Sequence, residues 1–247
     1  MNDVFNIFTL DINKSKLNIN PIFINNISLS NNRINMMQNR DITKIDKTSM
    51  DNVIKSSTTT VGVMVKDAVV IGTESQATAG FTVATKTAQK LFQINDYCAA
   101  TISGGVADCQ YVINQLQALS RLKQVEENEV PEPKYIANIT RNILFQGRSY
   151  FVAMMIVGGY SVKEKAGKLY GIDLLGTLYE ESNFLSYGSG SPFSLGVLEA
   201  DWKPDMTKEE GIDLIKNAIT SSRERDAGSG FALQICTIDK DGFTQIQ

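Results

Sequence analysis

The composition of the chain changes abruptly at residue 57. Residues 1–57 contain twelve asparagines and ten isoleucines but no glycine and no alanine, whereas all 18 glycines lie in residues 58–247. Asparagine is poor in both helices and strands, and no amphipathic period runs through the segment. We therefore predict two parts: a weakly structured leader over residues 1–57 and a folded domain over residues 58–247.

Two interpretations of the leader follow from its composition. It is either a propeptide that is removed from the mature protein or an N-terminal tail that stays attached. Poorly ordered termini are common in proteins, so composition by itself favours the tail.

After residue 57, patterns typical of strands come first and are followed by helices. Two strand pairs are predicted, with turns at Lys66-Asp67 and Asn95-Asp96. Two helices follow, the second with prolines at its start. The first carries apolar residues at helical spacing: Cys109, Val112, Leu116, Leu119 and Leu122.

A second set of strands begins with the buried run FVAMMIVGGY at residues 151–160. A long helix then starts at the capping box Thr207 to Glu210, and a hairpin at Asp241-Gly242 closes the chain. Strands in hairpins and helices in blocks favour an α+β fold rather than a βαβ repeat. We expect helices to cover both outer faces of a two-sheet sandwich.

The chain contains no histidine, which excludes several catalytic classes. Ser-His-Asp and Cys-His catalysis and histidine-ligated metal sites cannot be built from it. The cysteines Cys98, Cys109 and Cys236 are widely spaced, form no zinc pattern and are expected to be buried thiols. No metal site is predicted.

Charge and hydropathy describe an ordinary water-soluble chain. The net charge of −3 does not suggest nucleic acid as a partner. No apolar run is long enough to cross a membrane, and the N-terminus lacks the pattern of a secretory signal. We therefore expect no membrane partner and a cytoplasmic location.

The triplet Thr58-Thr59-Thr60 begins directly after the leader. Threonine favours strands, and the triplet alone is explained by a strand start. If the leader is removed before Thr58, however, that residue carries both a hydroxyl and a free α-amine. Such an amine can take the hydroxyl proton without any histidine, which makes Thr58 a candidate nucleophile.

Other polar and glycine residues have both an ordinary and a catalytic interpretation. Lys90 and Glu74 are ordinary exposed charges, or an ammonium beside the nucleophile with the carboxylate that holds it. Gly104 is a turn residue, or a source of a backbone N–H for an oxyanion. Ser189 and Ser229 are hydroxyl residues beside glycines in segments that could be flexible loops, and Asp226 is an acceptor that could position a threonine or lysine.

Five segments, taken together in this order and spacing, resemble the β subunits of the archaeal type of 20S proteasome. They are TTTVGVMVKDAVVIGTES, KTAQKLFQI, ATISGGVADCQ, GSGSPFSLGVLE and RERDAGSG. The resemblance covers residues 58–247 and implies the four-layer αββα sandwich of the N-terminal-nucleophile hydrolases. It also implies a threonine endopeptidase without a cofactor, which cleaves between Ser57 and Thr58 to activate itself.

The resemblance gives each candidate a role. Thr58 is implied to be the nucleophile, with its amine as the base, and Glu74 and Lys90 its charged partners. Gly104 is implied to donate its N–H to the oxyanion, and Ser189, Asp226 and Ser229 to support the amine. The implied partners are other β subunits in a seven-membered ring, α subunits, an ATPase that acts through the α ring, and unfolded protein substrates.

The residues that match the family's primary specificity pocket carry no charge. They are Ala77, Thr78, Ala88, Ile102 and Val106. An uncharged pocket leaves a lysine or glutamate without a partner, so we expect cleavage after large apolar residues.

One residue departs from the family pattern: Ser57 stands where the family usually has glycine. Self-cleavage requires an unusual backbone conformation there, which glycine adopts more cheaply than serine. Two alternatives to a self-activated endopeptidase are kept: an unprocessed, catalytically silent structural β subunit, and an amidohydrolase of the same fold that acts on a small amide.

Overall fold

The computed structural model describes residues 58–247, which form twelve strands and four helices. The strands are β1 Thr60–Val65, β2 Ala68–Glu74, β3 Ala77–Ala79, β4 Thr82–Thr85, β5 Leu91–Asn95, β6 Cys98–Gly104, β7 Ala153–Ser161, β8 Ala166–Ile172, β9 Leu178–Glu181, β10 Phe184–Tyr187, β11 Leu233–Asp239 and β12 Gly242–Gln245. The helices are α1 Val106–Glu127, α2 Pro133–Gly147, α3 Ser191–Asp201 and α4 Lys208–Arg225.

Ten of the strands form two five-stranded sheets in which all neighbours are antiparallel. The first sheet has the order β10-β1-β2-β11-β12, and the second has the order β5-β6-β7-β8-β9. Strands β3 and β4 form a separate hairpin. Antiparallel sheets and helices in blocks are the arrangement predicted for an α+β fold.

Three apolar clusters hold four layers together. One lies between α1, α2 and the second sheet and includes Leu116 and Met155. Another lies between the first sheet and the helices α3 and α4, and includes Val63 and Ile215. A third fills the space between the sheets, where residues such as Ile71, Ile156 and Leu169 meet. The predicted αββα sandwich is confirmed.

The capping box at the start of α4 has the predicted geometry. Glu210 donates its backbone N–H to Thr207 Oγ1 over 3.2 Å, and Thr207 donates its N–H to Glu210 Oε2 over 2.8 Å. Each side chain thus satisfies a backbone donor that the helix itself leaves without an acceptor. The proline predicted at the start of the second helix is Pro133, the first residue of α2.

Several local predictions differ from the structure. Helix α3 and the β3–β4 hairpin were not predicted. One turn lies one residue later than predicted, at Asp96-Tyr97, and another lies one residue earlier, at Lys240-Asp241. The apolar stripe of α1 ends early, because Leu122 is 52% exposed. Within residues 58–247, no helix is long and apolar enough to cross a membrane.

Candidate active site

Strand order brings the predicted catalytic residues to one end of the sandwich. Thr58 precedes β1 and Glu74 ends its antiparallel neighbour β2. In the second sheet, Lys90 precedes β5 and Gly104 ends the neighbouring β6. The start of one antiparallel strand lies beside the end of the next. Each sheet therefore contributes two of these residues, at the same end of two neighbouring strands.

Lys90 connects Thr58 to Glu74. Its Nζ donates to Thr58 Oγ1 over 3.0 Å and to Glu74 Oε1 over 2.5 Å. All three residues are buried. An ammonium in direct contact with a hydroxyl oxygen favours the negative charge that the oxygen gains when it loses its proton.

Backbone N–H groups surround the carboxylate of Glu74. Its Oε1 accepts from Thr59 N over 3.3 Å. Its Oε2 accepts from Gln76 N over 2.6 Å and from Gly230 N over 3.1 Å. A buried carboxylate needs such donors to offset the loss of water, and together they fix the oxygen that faces Lys90.

Burial lowers the pKa of Lys90 below the ordinary value of a lysine. The charge of Glu74 and its hydrogen bond to the ammonium offset part of this effect. An ammonium with a lowered pKa releases its proton more readily than an exposed lysine does. The electrostatics of the site thus depend on an ion pair that is held against a cost of desolvation.

A second network surrounds the backbone nitrogen of Thr58. That nitrogen donates to Ser189 Oγ over 3.2 Å, and Ser189 donates to Asp226 Oδ2 over 2.6 Å. Ser229 also donates to Asp226 Oδ2 over 2.6 Å. Ser229 Oγ lies 2.7 Å from Thr59 Oγ1, and because its own proton points to Asp226, Thr59 is the donor.

Two glycines have a left-handed backbone, Gly188 against Thr58 and Gly104 at the end of β6. Gly188 has φ +100°, and a Cβ there would lie 1.9 Å from the carbonyl oxygen of Thr58. Gly104 has φ +123°, and a Cβ would lie 2.2 Å from the carbonyl oxygen of Val152. Both backbones adopt a conformation that is rare for residues with a side chain, so both positions require glycine.

The residues predicted to line the specificity pocket differ in exposure. Ala77 and Thr78 lie on β3 and are half-buried, as is Ala88 in the segment before Lys90. Val106, the first residue of α1, is 37% exposed, but Ile102 is only 3% exposed and packs in the core beneath α1 and α2. Ser57, on the predicted processing bond, lies outside the described residues.

The site also contains residues that the sequence did not indicate. Thr59 was predicted to be an ordinary strand residue, yet its hydroxyl belongs to the network of Asp226. Gln76 and Gly230 bind Glu74, and Gln234 binds the backbone of Lys90. The threonine triplet at the start of β1 could have drawn attention to Thr59, and Gly230 ends the segment RERDAGSG, but no local signal marks Gln76 or Gln234.

Metal ligands are not grouped in this region. Among the residues that the structure describes, no cluster of three or more histidine, cysteine, aspartate or glutamate side chains could hold a metal ion.

Comparison with known proteins identifies the family. The family model described as "Proteasome subunit" matches residues 54–238. "Proteasome subunit beta" of Methanocaldococcus jannaschii is 42% identical over 190 residues, which cover 76% of this chain and 84% of that protein. "Proteasome subunit beta 1" of Pyrobaculum arsenaticum is 41% identical over 191 residues, or 76% and 94% of the two chains.

"Proteasome subunit beta" of Methanococcus maripaludis is 39% identical over 186 residues, or 75% of this chain and 84% of that protein. These similarities include the family-model match, which spans β1 to β10, all of β11 but its last residue, and all four helices. Together with the four-layer fold, they show that the chain belongs to the proteasome subunit family and is related to its β subunits.

Proposed function

We propose that this chain is a proteolytic β subunit, a threonine endopeptidase with Thr58 as its nucleophile. The observation that carries the proposal is the 3.0 Å hydrogen bond from Lys90 Nζ to Thr58 Oγ1. Burial of an ammonium costs desolvation energy. Its contact with the hydroxyl of Thr58 favours the deprotonated oxygen that acts as a nucleophile. We propose that residues 58–247 are the peptidase domain and residues 1–57 a removable leader.

Removal of the leader is the activating step in this proposal. Cleavage of the Ser57–Thr58 bond converts the amide nitrogen of Thr58 into an α-amine, with an ordinary pKa of about 7.7 to 8.0. The ammonium of Lys90 lowers the pKa of that amine, so a larger fraction is neutral and able to accept a proton. The hydroxyl of Ser189, 3.2 Å from the nitrogen, keeps it oriented.

The proposed reaction proceeds through an ester. The amine takes the proton of Thr58 Oγ1 as that oxygen attacks the carbonyl carbon of a substrate peptide bond. The N–H of Gly104 is proposed to stabilise the resulting oxyanion. The C–N bond then breaks, and the amine passes its proton to the leaving nitrogen. Water, deprotonated by the same amine, then attacks the ester; the bond to Thr58 Oγ1 breaks, the amine returns its proton to that oxygen, and the acid product is released.

We further propose that the subunit works inside an assembly in the cytoplasm. Other β subunits would complete a seven-membered ring, α subunits would stack on it, and an ATPase would deliver unfolded protein through the α ring. The uncharged residues Ala77, Thr78, Ala88 and Val106 support cleavage after large apolar residues. A role of Ile102 in this pocket is also proposed, although it would act from the core side.

A structural β subunit without activity is the second candidate. The serine at position 57 favours it, because the backbone conformation required for self-cleavage costs more with serine than with glycine. In that case the leader remains and Thr58 never acquires a free amine. An amidohydrolase of the same fold, acting on a small amide, is a third reading.

Co-expression with an α subunit, followed by intact-mass analysis, tests the proposal. We expect wild-type protein to lose residues 1–57 and hydrolyse peptides, and Thr58→Ala to do neither. Thr60→Ala is the matched control, because it removes the same groups two residues away, where Oγ1 has no hydrogen-bond partner among the described residues. An intact leader in inactive wild-type assemblies would instead identify the structural subunit. Amide hydrolysis without any α subunit would favour the amidohydrolase.

A further inference from the structure

The carboxamide of Gln234 holds the chain segment that carries Lys90. Its Oε1 accepts from Lys90 N over 2.9 Å and from Leu91 N over 3.1 Å. Its Nε2 donates to the carbonyl oxygen of Ala88 over 2.7 Å. One side chain thus makes three hydrogen bonds to the backbone of three residues within residues 88–91, as a neighbouring strand would.

These bonds link the two sheets. Gln234 lies on β11 of the first sheet, where its neighbour Leu233 pairs with Glu74. The carbonyl oxygen of Lys90 accepts from Ile102 N over 3.1 Å, on β6 of the second sheet. The first sheet therefore holds the N–H of Lys90 through Gln234 and its ammonium through Glu74, while the second sheet holds its C=O.

We propose that Gln234 is a positioning residue that sets the ammonium of Lys90 against Thr58 Oγ1. This role rests on the proposed function of Thr58 and Lys90. A lysine side chain has a limited reach, so a shift of the Lys90 backbone would change whether its ammonium can contact Glu74 and Thr58 Oγ1 together. A misplacement of about 1 Å can lower a rate by about 10²-fold, even when its cause lies outside the reacting groups.

The same carboxamide also fixes Ala88, a residue proposed to line the specificity pocket. Glutamine suits both tasks, because its oxygen accepts two hydrogen bonds and its NH₂ group donates. Glutamate would retain the acceptor for Lys90 and Leu91 but lose the donor to Ala88. Leucine would lose both functions and leave the N–H of Lys90 without its acceptor.

Three variants of the full chain, assembled with α subunits, separate these roles. In Gln234→Leu, we expect kcat for a fluorogenic peptide to fall between about 10-fold and 100-fold, with a smaller change in KM. In Gln234→Glu, kcat is higher than in Gln234→Leu, and KM rises because Ala88 loses its donor. Gln245→Leu is the matched control: it makes the same change at an exposed position on the neighbouring strand.

A crystal structure of each variant gives a readout that does not depend on activity. We expect the distance from Lys90 Nζ to Thr58 Oγ1 to exceed hydrogen-bonding range in Gln234→Leu and to stay near 3.0 Å in Gln245→Leu. An unmoved ammonium would overturn the positioning role, as would an unchanged kcat in Gln234→Leu when Lys90→Ala is inactive.

The outcomes also separate this role from the proposed function. If wild-type assemblies are inactive, the endopeptidase proposal fails, and the position of the ammonium still decides whether Gln234 anchors it. If Gln234→Leu does not assemble, the comparison rests on Gln234→Glu. A kcat for that variant as low as that of Lys90→Ala would then overturn the assignment.

Discussion

Glu74 and Lys90 form a buried ion pair, with 2.5 Å between Oε1 and Nζ and with 0% and 4% of the two side chains accessible to solvent. Exposed ion pairs contribute little to stability, but removal of one partner from a buried pair leaves an uncompensated charge. This pair therefore offers a direct test of the site.

Replacement of Glu74 by glutamine should destabilise the protein and abolish activity. The ammonium of Lys90 loses its counter-charge, and we expect the free energy of unfolding to fall by about 3–5 kcal/mol. Denaturant unfolding of the unassembled chain measures this change. Asp213→Asn, which breaks the exposed ion pair with Lys216, is the control and should cost less than about 1 kcal/mol. Similar losses in both variants would contradict the prediction.

Peptidase activity should fall as the pH is raised, and this fall should begin below pH 10.5, the ordinary pKa of lysine. Burial lowers the pKa of Lys90, so its ammonium is lost at a lower pH than that of an exposed lysine. The pH profile of kcat/KM measures this decline. Activity that persists undiminished to pH 10.5 would count against a catalytic ammonium.

The same pKa shift has the opposite effect on stability. Inactivation by loss of the Lys90 ammonium can therefore be distinguished from inactivation by unfolding. Between the lowered pKa of Lys90 in the folded protein and its ordinary value, the unfolded chain binds more protons. The contribution of Lys90 to the free energy of unfolding therefore rises with pH in this window. Loss of activity there should appear without unfolding caused by Lys90, as thermal melts at each pH can verify.

Substitution of Gly188 by alanine should inactivate the site. The new Cβ would lie 1.9 Å from the carbonyl oxygen of Thr58, in a backbone conformation with φ +100°. The backbone of Thr58 or of residue 188 must then shift, which disturbs the contact of Thr58 with Lys90, and we expect kcat to fall by about 10²-fold. In contrast, Gly196→Ala on α3 meets no atom within 4 Å and should stabilise the helix by up to about 1 kcal/mol. Equal activity of the two variants would refute this account.

Replacement of Ser57 by glycine should accelerate removal of the leader. Glycine adopts unusual backbone conformations at lower cost, and the proposed self-cleavage requires one at this residue. Intact-mass spectrometry over time, after assembly with α subunits, gives the rate. Ser56→Gly adds the same flexibility one residue earlier and should process at the wild-type rate. A Ser57→Gly variant no faster than wild type would remove the explanation based on residue 57.

A carboxylate in the proposed pocket should change the cleavage preference. We expect Val106→Glu to raise kcat/KM for peptides with lysine before the cleaved bond, relative to peptides with phenylalanine there, by about tenfold. Leu122→Glu adds the same charge at an exposed position on α1 and serves as the control. An unchanged preference in Val106→Glu would exclude Val106 from the pocket.

Much of the fold follows from local patterns. Short-range signals such as the capping box at Thr207 and Glu210 act within one helical turn, so they are visible in the sequence. Helix α3 was missed because it follows Gly188-Ser189-Gly190, residues typical of a loop. Pro192 near its start was the available signal, since proline is favoured in the first turn of a helix.

The candidate site was only partly predictable, for a different reason. A family resemblance indicated Thr58, Glu74 and Lys90, and the structure brings them together. The role of Gln234 arises from a contact across 144 positions of the chain, which no local pattern encodes. Thr59 was misjudged because a strand-favouring residue gives no sign of where its hydroxyl points.

The hydrogen bond between Thr58 and Lys90 joins residues from different sheets. Its length therefore depends on how the two sheets are stacked, since Thr58 precedes β1 of the first sheet and Lys90 precedes β5 of the second. The distance between Lys90 Nζ and Thr58 Oγ1 would change if one sheet slid over the other along the apolar layer of Ile71, Ile156 and Leu169. We therefore expect any substitution that shifts one sheet against the other to change this distance, and with it the contact on which the proposed role of Thr58 depends.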